Sequence, residues 1–143
     1  MLDTSVIITA LRSPTGAAAE VVRLVLRGEF TILMDYKLAC EYREVALRSE
    51  QLRASGKSPA ETVAILDALE AVAEPVLVAF QYRPLSPDPN DDMVLDVAIN
   101  GKADVIVTNN TKHFRAAAKH FDLDVFTPAE LFRELWSRFP YPQ

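Results

Sequence analysis

Short apolar runs alternate with longer stretches of helical periodicity from one end of the chain to the other, and few folds accept that pattern. Runs such as Phe30-Thr31-Ile32-Leu33-Met34 and Val105-Ile106-Val107 are too short for helices and too uniformly apolar for strands with a wet face. Strands buried on both faces belong to parallel sheets, and parallel strands need helical crossovers between them. The pattern therefore predicts an α/β domain.

The expected elements follow the punctuation. Residues 2–8 read as a first strand, 14–27 as a helix and 30–34 as a second strand, after which Asp35 begins a connection. A long helical pattern covers 36–52. Ser58-Pro59-Ala60-Glu61 combines an N-cap, a proline at the first helical position and a capping-box glutamate, so a helix is expected over 59–73. Residues 76–80 fit either a short strand or extended chain, and the prolines of 84–89 rule out a regular element. That loop delivers Asn90 to a helix over 91–100, closed by Gly101. A buried strand over 104–107 runs into the polar turn Thr108-Asn109-Asn110, followed by a helix over 111–120 and a strand over 123–126. Thr127-Pro128-Ala129-Glu130 repeats the cap signature before a last helix to about 138. Its stripe of Leu131, Phe132, Leu135 and Trp136 suits a partner interface, but a core-facing helix is the more economical reading. A single domain over 1–138 is expected, with 139–143 as a loose tail.

At 143 residues, half of them hydrophobic, the chain has the size of one domain with a real core. No apolar run is long enough to span a membrane and no basic leader opens the chain, so a soluble, cytoplasmic protein with no membrane partner is expected. The single Cys40 has no intramolecular partner, and two histidines, His113 and His120, offer no zinc spacing, which leaves oxygen atoms as metal donors. A formal charge of −5 argues against a broad nucleic-acid face. A carboxylate cluster contributes negative charge by itself, however, and a divalent ion reverses its sign locally.

In parallel sheets the functional crevice lies beyond the carboxyl ends of the strands. Asp3 is flanked by Leu2 and by Val6-Ile7-Ile8, so its burial demands a partner or a cation; capping a turn is the alternative role. Glu41 follows small Ala39 and Cys40 on a helix, in competition with Glu44, and both also fit a solvated helix face. Asp91 and Asp92 open a helix, where the macrodipole alone would account for them, with Asp88 and Asp96 nearby. Asp3, Asp92 and the turn Thr108–Asn110 converge on one rim in a doubly wound arrangement. Several oxygen ligands at one rim suit Mg²⁺ or Mn²⁺ and phosphodiester hydrolysis.

These segments resemble the PIN-domain family, and in particular its VapC-like toxin branch, from Leu2 to about Leu135. Leu2-Asp3-Thr4-Ser5-Val6 is similar to the family's strand-end signature, with Asp3 as first metal ligand and Ser5 where asparagine or serine is usual. Glu41 in Leu38-Ala39-Cys40-Glu41-Tyr42-Arg43-Glu44 resembles the helical glutamate, and Asp88-Pro89-Asn90-Asp91-Asp92 the segment bearing the third acid, assigned to Asp92. Ile106-Val107-Thr108-Asn109-Asn110-Thr111-Lys112-His113-Phe114 is the most specific match. Here the chain departs from the fullest acidic pattern, since Asn110 and His113 stand where many members carry aspartates.

The resemblance implies a three-layer α/β/α PIN-like fold with a central, mainly parallel sheet of four to five strands. It implies a ribonuclease in which Asp3, Glu41 and Asp92 hold Mg²⁺ or Mn²⁺ for attack by water on the phosphorus, with Asn110 and Thr108 orienting the site. It further implies an antitoxin partner and a homodimer. Ser5, Asp91, Asp96, His113 and Glu44 are secondary candidates, and Arg12, Lys37, Arg43, Lys112 and Arg115 are candidates for the RNA backbone. Asparagine at 110 brings no charge, which favours one-metal chemistry. Two competing readings remain. A phosphotransferase with an aspartyl nucleophile wants a second aspartate two residues after the first, where this chain has Ser5. A weakened domain of the same fold would bind RNA or a protein partner without cutting.

Overall fold

A computed structural model describes residues 1–81 and 89–138. Residues 82–88, which carry Asp88 and most of the proline-rich loop, and the expected tail 139–143 lie outside the described residues. The architecture is α/β, with helices dominating and strands reduced to two or three residues each.

The first strand is the largest departure from expectation. Only Leu2 is in strand geometry, bridged in parallel to Val107, and the chain turns into helix α1 (Thr4–Arg12) immediately after Asp3. Val6-Ile7-Ile8 is β-branched and locally favours a strand, yet it lies within α1, where Val6, Ile7 and Leu11 are buried together. Packing of that face overrides local preference. Helix α2 (Ala17–Leu26) follows α1, then β1 (Leu33–Met34), whose N-terminal neighbour Ile32 is also buried.

Asp35 caps the next helix: its Oδ1 accepts the Leu38 amide at 2.8 Å. The helix expected over 36–52 breaks into α3 (Tyr36–Ala46) and α4 (Ser49–Ser55). No glycine or proline marks the break; Arg48 adopts extended geometry and turns its guanidinium back on Glu44 at 2.9 Å. Helix α5 (Pro59–Val72) begins at the expected capping box, with Glu61 N donating to Ser58 Oγ and the Glu61 carboxylate returning to the Ser58 amide. Strand β2 is Glu74–Pro75, and residues 76–80 beyond it belong to no helix or strand, although Val76 N still donates to Met34 O at 3.0 Å.

Helix α6 (Pro89–Asn100), strand β3 (Val105–Val107), helix α7 (Thr111–His120), strand β4 (Asp124–Phe126) and helix α8 (Pro128–Arg138) complete the order. The cap of α8 is made as expected, Thr127 Oγ1 accepting Glu130 N at 3.1 Å. Its Leu131 is buried and Phe132 and Leu135 pack on the core, while Trp136 is exposed. The described ladders do not join into one sheet of four to five strands. They form two parallel pieces, β1 with β2 and β3 with β4, the second extended by Leu2 on the free side of β3. Ile7, Ile32, Leu38, Tyr42, Leu95, Ile106 and Phe114 fill one core between the pieces and their helices.

Gly101 ends α6 as expected, for a steric reason. A Cβ there would stand 2.8 Å from Leu33 Cδ1 and Val76 Cγ2, so β1 and the chain after β2 pass directly over it. The left-handed turn after α6 is taken by Lys102, at φ 54°.

Candidate metal and phosphodiester site

The carboxyl end of β3 and the start of α1 are tied together by side chains. Asp3 is 7% exposed, and its Oδ2 accepts hydrogen bonds from Ser5 Oγ at 2.7 Å and Thr108 Oγ1 at 2.8 Å. Each hydroxyl also accepts a backbone amide of the polar turn: Thr108 Oγ1 from Asn110 N at 3.0 Å, Ser5 Oγ from Asn109 N at 3.2 Å. Asn109 Nδ2 completes the brace by donating to Thr9 Oγ1 at 2.8 Å. Beneath, Asp3 N donates to Val107 O at 3.0 Å. The carboxylate is thus fixed in the folded state, so no reorganisation is needed to present it.

Tyr42, one residue beyond Glu41, donates its hydroxyl to Leu2 O and pins the segment carrying Asp3. Burial, with the charges of Asp3 and Asp35 behind it, holds its phenol far above the usual range, so it remains a donor. Nothing in the sequence separates this tyrosine from an ordinary core aromatic. The sequence marks Asp35 only as the start of a connection and Asn109 only as part of the polar turn Thr108–Asn110, with no role for either side chain.

Helix α6 supplies further acids. Asp91, Asp92 and Asp96 are all under 10% exposed in a helix buried on nearly every side by Val94, Leu95, Val97 and Ala98. Buried carboxylates are costly unless paired or bound to a cation, and the first two also lie at the positive end of the helix dipole. Asp91 Oδ2 pairs with His113 Nδ1 at 3.2 Å, so the histidine of α7 faces the acidic helix while remaining half exposed.

The remaining candidates divide. Glu41 is half-buried on α3, whereas Glu44 is exposed and ion-paired with Arg48, which places Glu44 on the solvated face. Asn110 contributes its backbone to the turn while its side chain is exposed. Arg43 bridges α3 to α5 through Glu70 at 2.7 Å and Asp67 at 2.6 Å, a clamp between the two helices. Arg12 is engaged with Gln51, Arg115 reaches Thr111 Oγ1 at 3.4 Å, and Lys37 and Lys112 are exposed.

Asp3, Asp91, Asp92 and Asp96 suit a hard divalent cation in kind, being oxygen donors at low exposure. Among the described residues, no three acids, histidines or cysteines close into one group. A cation here fits the mode in which one or two carboxylates anchor it and water and phosphate complete its shell. Two cavities, of about 340 and 300 Å³, lie away from these acids, both lined by Met1 and Val105 at the amino end of β3.

The sequence model of one family, described as the PIN domain, matches residues 1–112, a span holding Asp3, Glu41, the three aspartates of α6 and the Thr108 turn. No curated protein and no solved structure matches the chain. Among the described residues, no helix is long and apolar enough to cross a membrane.

Proposed function

Because the chain belongs to the PIN-domain family, whose members are typically nucleases using divalent metal ions, we propose that it is a Mg²⁺- or Mn²⁺-dependent endoribonuclease acting as a toxin. The observation that carries this reading is the braced Asp3, a buried carboxylate held by two hydroxyls at a strand's end, in a chain whose helix α6 bears three more buried aspartates.

Asp3, Glu41 and Asp92 are the residues assigned to hold the ion. When bound, it would neutralise charge on the scissile phosphate and acidify the attacking water. The chain's own part is to present Asp3 in one orientation through Ser5 and Thr108, and to keep the turn Thr108–Asn110 docked against α1 through Asn109. As a toxin, the protein would be paired with an antitoxin that covers these acids.

The test is cleavage of a mixed RNA pool with Mg²⁺ or Mn²⁺, with an EDTA control, by the wild type, Asp3→Asn and Asp92→Asn. Both variants should lose about a hundredfold or more in rate, corresponding to about 3 kcal/mol of transition-state stabilisation. Expression of the wild type should arrest growth, and Asp3→Asn should relieve the arrest. A folded wild type that cuts nothing, or variants that cut as fast as it does, would refute the proposal.

A further inference from the structure

Beyond the acids lies a groove of about 340 Å³, bounded by the start of α3, the chain after β2, and α6. Volumes of ~300–1,000 Å³ are typical of small-ligand pockets. Its wall is apolar, with Val76, Val78 and Met93, and two acidic residues, Asp35 and Asp96, also line it. At its lip stand Lys37 and Tyr36, the latter 85% exposed and the first residue of α3. Asp96 lies one helical turn beyond Asp92 on α6, so the groove continues from the acidic helix.

An exposed aromatic beside an apolar wall is a stacking platform, a lysine at the same lip suits a phosphate, and buried carboxylates accept hydrogen bonds from amino groups. Unpaired bases are recognised in single-stranded RNA by this combination, with Asp or Glu accepting from the exocyclic amine of cytosine. The Cys40 thiol, one turn on along α3, raises the pKa of the Tyr36 hydroxyl, which therefore stays protonated.

We propose that this groove is a base subsite for a nucleotide beside the scissile phosphate. Tyr36 stacks on the base, Lys37 meets the backbone, and Asp35 and Asp96 select an exocyclic amine and disfavour uracil. The inference rests on the ribonuclease reading.

Binding of fluorescently labelled oligocytidine and oligouridine, measured by anisotropy with Ca²⁺ in place of Mg²⁺, tests it. Oligocytidine should bind the wild type more tightly than oligouridine. Tyr36→Ala should weaken oligocytidine binding about tenfold, as one stacked base is worth ~1–3 kcal/mol, and Tyr36→Phe should retain it. Asp35→Asn, which keeps the helix cap, should narrow the gap between the two oligomers. If both oligomers bind but Tyr36→Ala matches the wild type, or if uridine binds as well as cytidine, the subsite is refuted and the nuclease stands. If RNA is cut yet neither oligomer binds, the subsite alone fails; if the wild type neither binds nor cuts RNA, both readings fall.

Discussion

Two charges lie two residues apart on the same buried segment, and the structure treats them in opposite ways. Asp3, at the carboxyl end, receives two hydroxyl hydrogen bonds, and its partners are partnered in turn. The Met1 ammonium, at the amino end, donates to Val105 O at 3.0 Å beside two cavities. Burial lowers its pKa from 8.0 to about 6, against the opposing charge of Asp104. The difference separates a charge that the fold is built around from one that it merely tolerates. Low exposure alone would rank them together; the partners distinguish them.

The largest effect on stability should come from the tolerated charge. The unfolded chain keeps this proton up to pH 8 and the folded chain only up to about 6, so between these values the unfolded state binds more protons and stability rises with pH. The gain from below pH 6 to above pH 8 is at most about 2.7 kcal/mol, two pKa units at 1.36 kcal/mol each. Urea unfolding at pH 5.5, 7 and 8.5 measures it, and an Nα-acetylated protein should lose that part of the slope. Identical slopes would place the ammonium in solvent and dissolve the comparison.

The braced charge should respond to its partners. Thr108→Val removes the hydroxyl that bonds Asp3 and accepts Asn110 N, leaving buried polar groups without that partner at a cost of about 1–3 kcal/mol. Thr108→Ser should recover most of it. Cleavage should fall with the valine variant and return with the serine variant, since Asp3 is held by the hydroxyl. Equal stability for all three proteins would mean that Ser5 suffices.

Only the Asp3 side of this contrast was legible in the sequence, together with several helix starts, and the reasons for the rest are physical. The capping box of α5, the cap of α8 and the run of α7 follow from local rules that need no tertiary partner. Asp3 and Thr108 stood out because polar residues interrupt apolar runs at strand ends. The fate of Val6-Ile7-Ile8 did not, because a β-branched run fits either a buried strand or a buried helix face, and only packing decides between them. The break between α3 and α4 carries no glycine or proline. Tyr42 and Asn109 act through residues 40 and 104 positions away in sequence, Leu2 and Ser5, and no local pattern encodes such pairs. Gly101 was recognised as a helix end, but its contact with Leu33 and Val76 belongs to the fold.

Arg43 sharpens the distinction from the other side. By sequence it was a basic residue near an acidic helix site, equally suited to phosphate or to solvent. The structure gives its guanidinium to Glu70 and Asp67 of α5, raising its pKa through those hydrogen bonds, so its charge is already matched before any substrate arrives. A third of its side chain remains exposed, and partly exposed ion pairs contribute only about 0.2–1 kcal/mol. Arg43→Met should therefore lower stability by less than about 1 kcal/mol and leave RNA cleavage and its salt dependence unchanged. Lys37→Met, at the lip of the groove, should reduce the salt dependence of RNA binding by about one phosphate contact. If instead Arg43→Met flattens the salt dependence, the guanidinium leaves α5 for the nucleic acid, and the clamp between α3 and α5 is a feature of the unbound protein only.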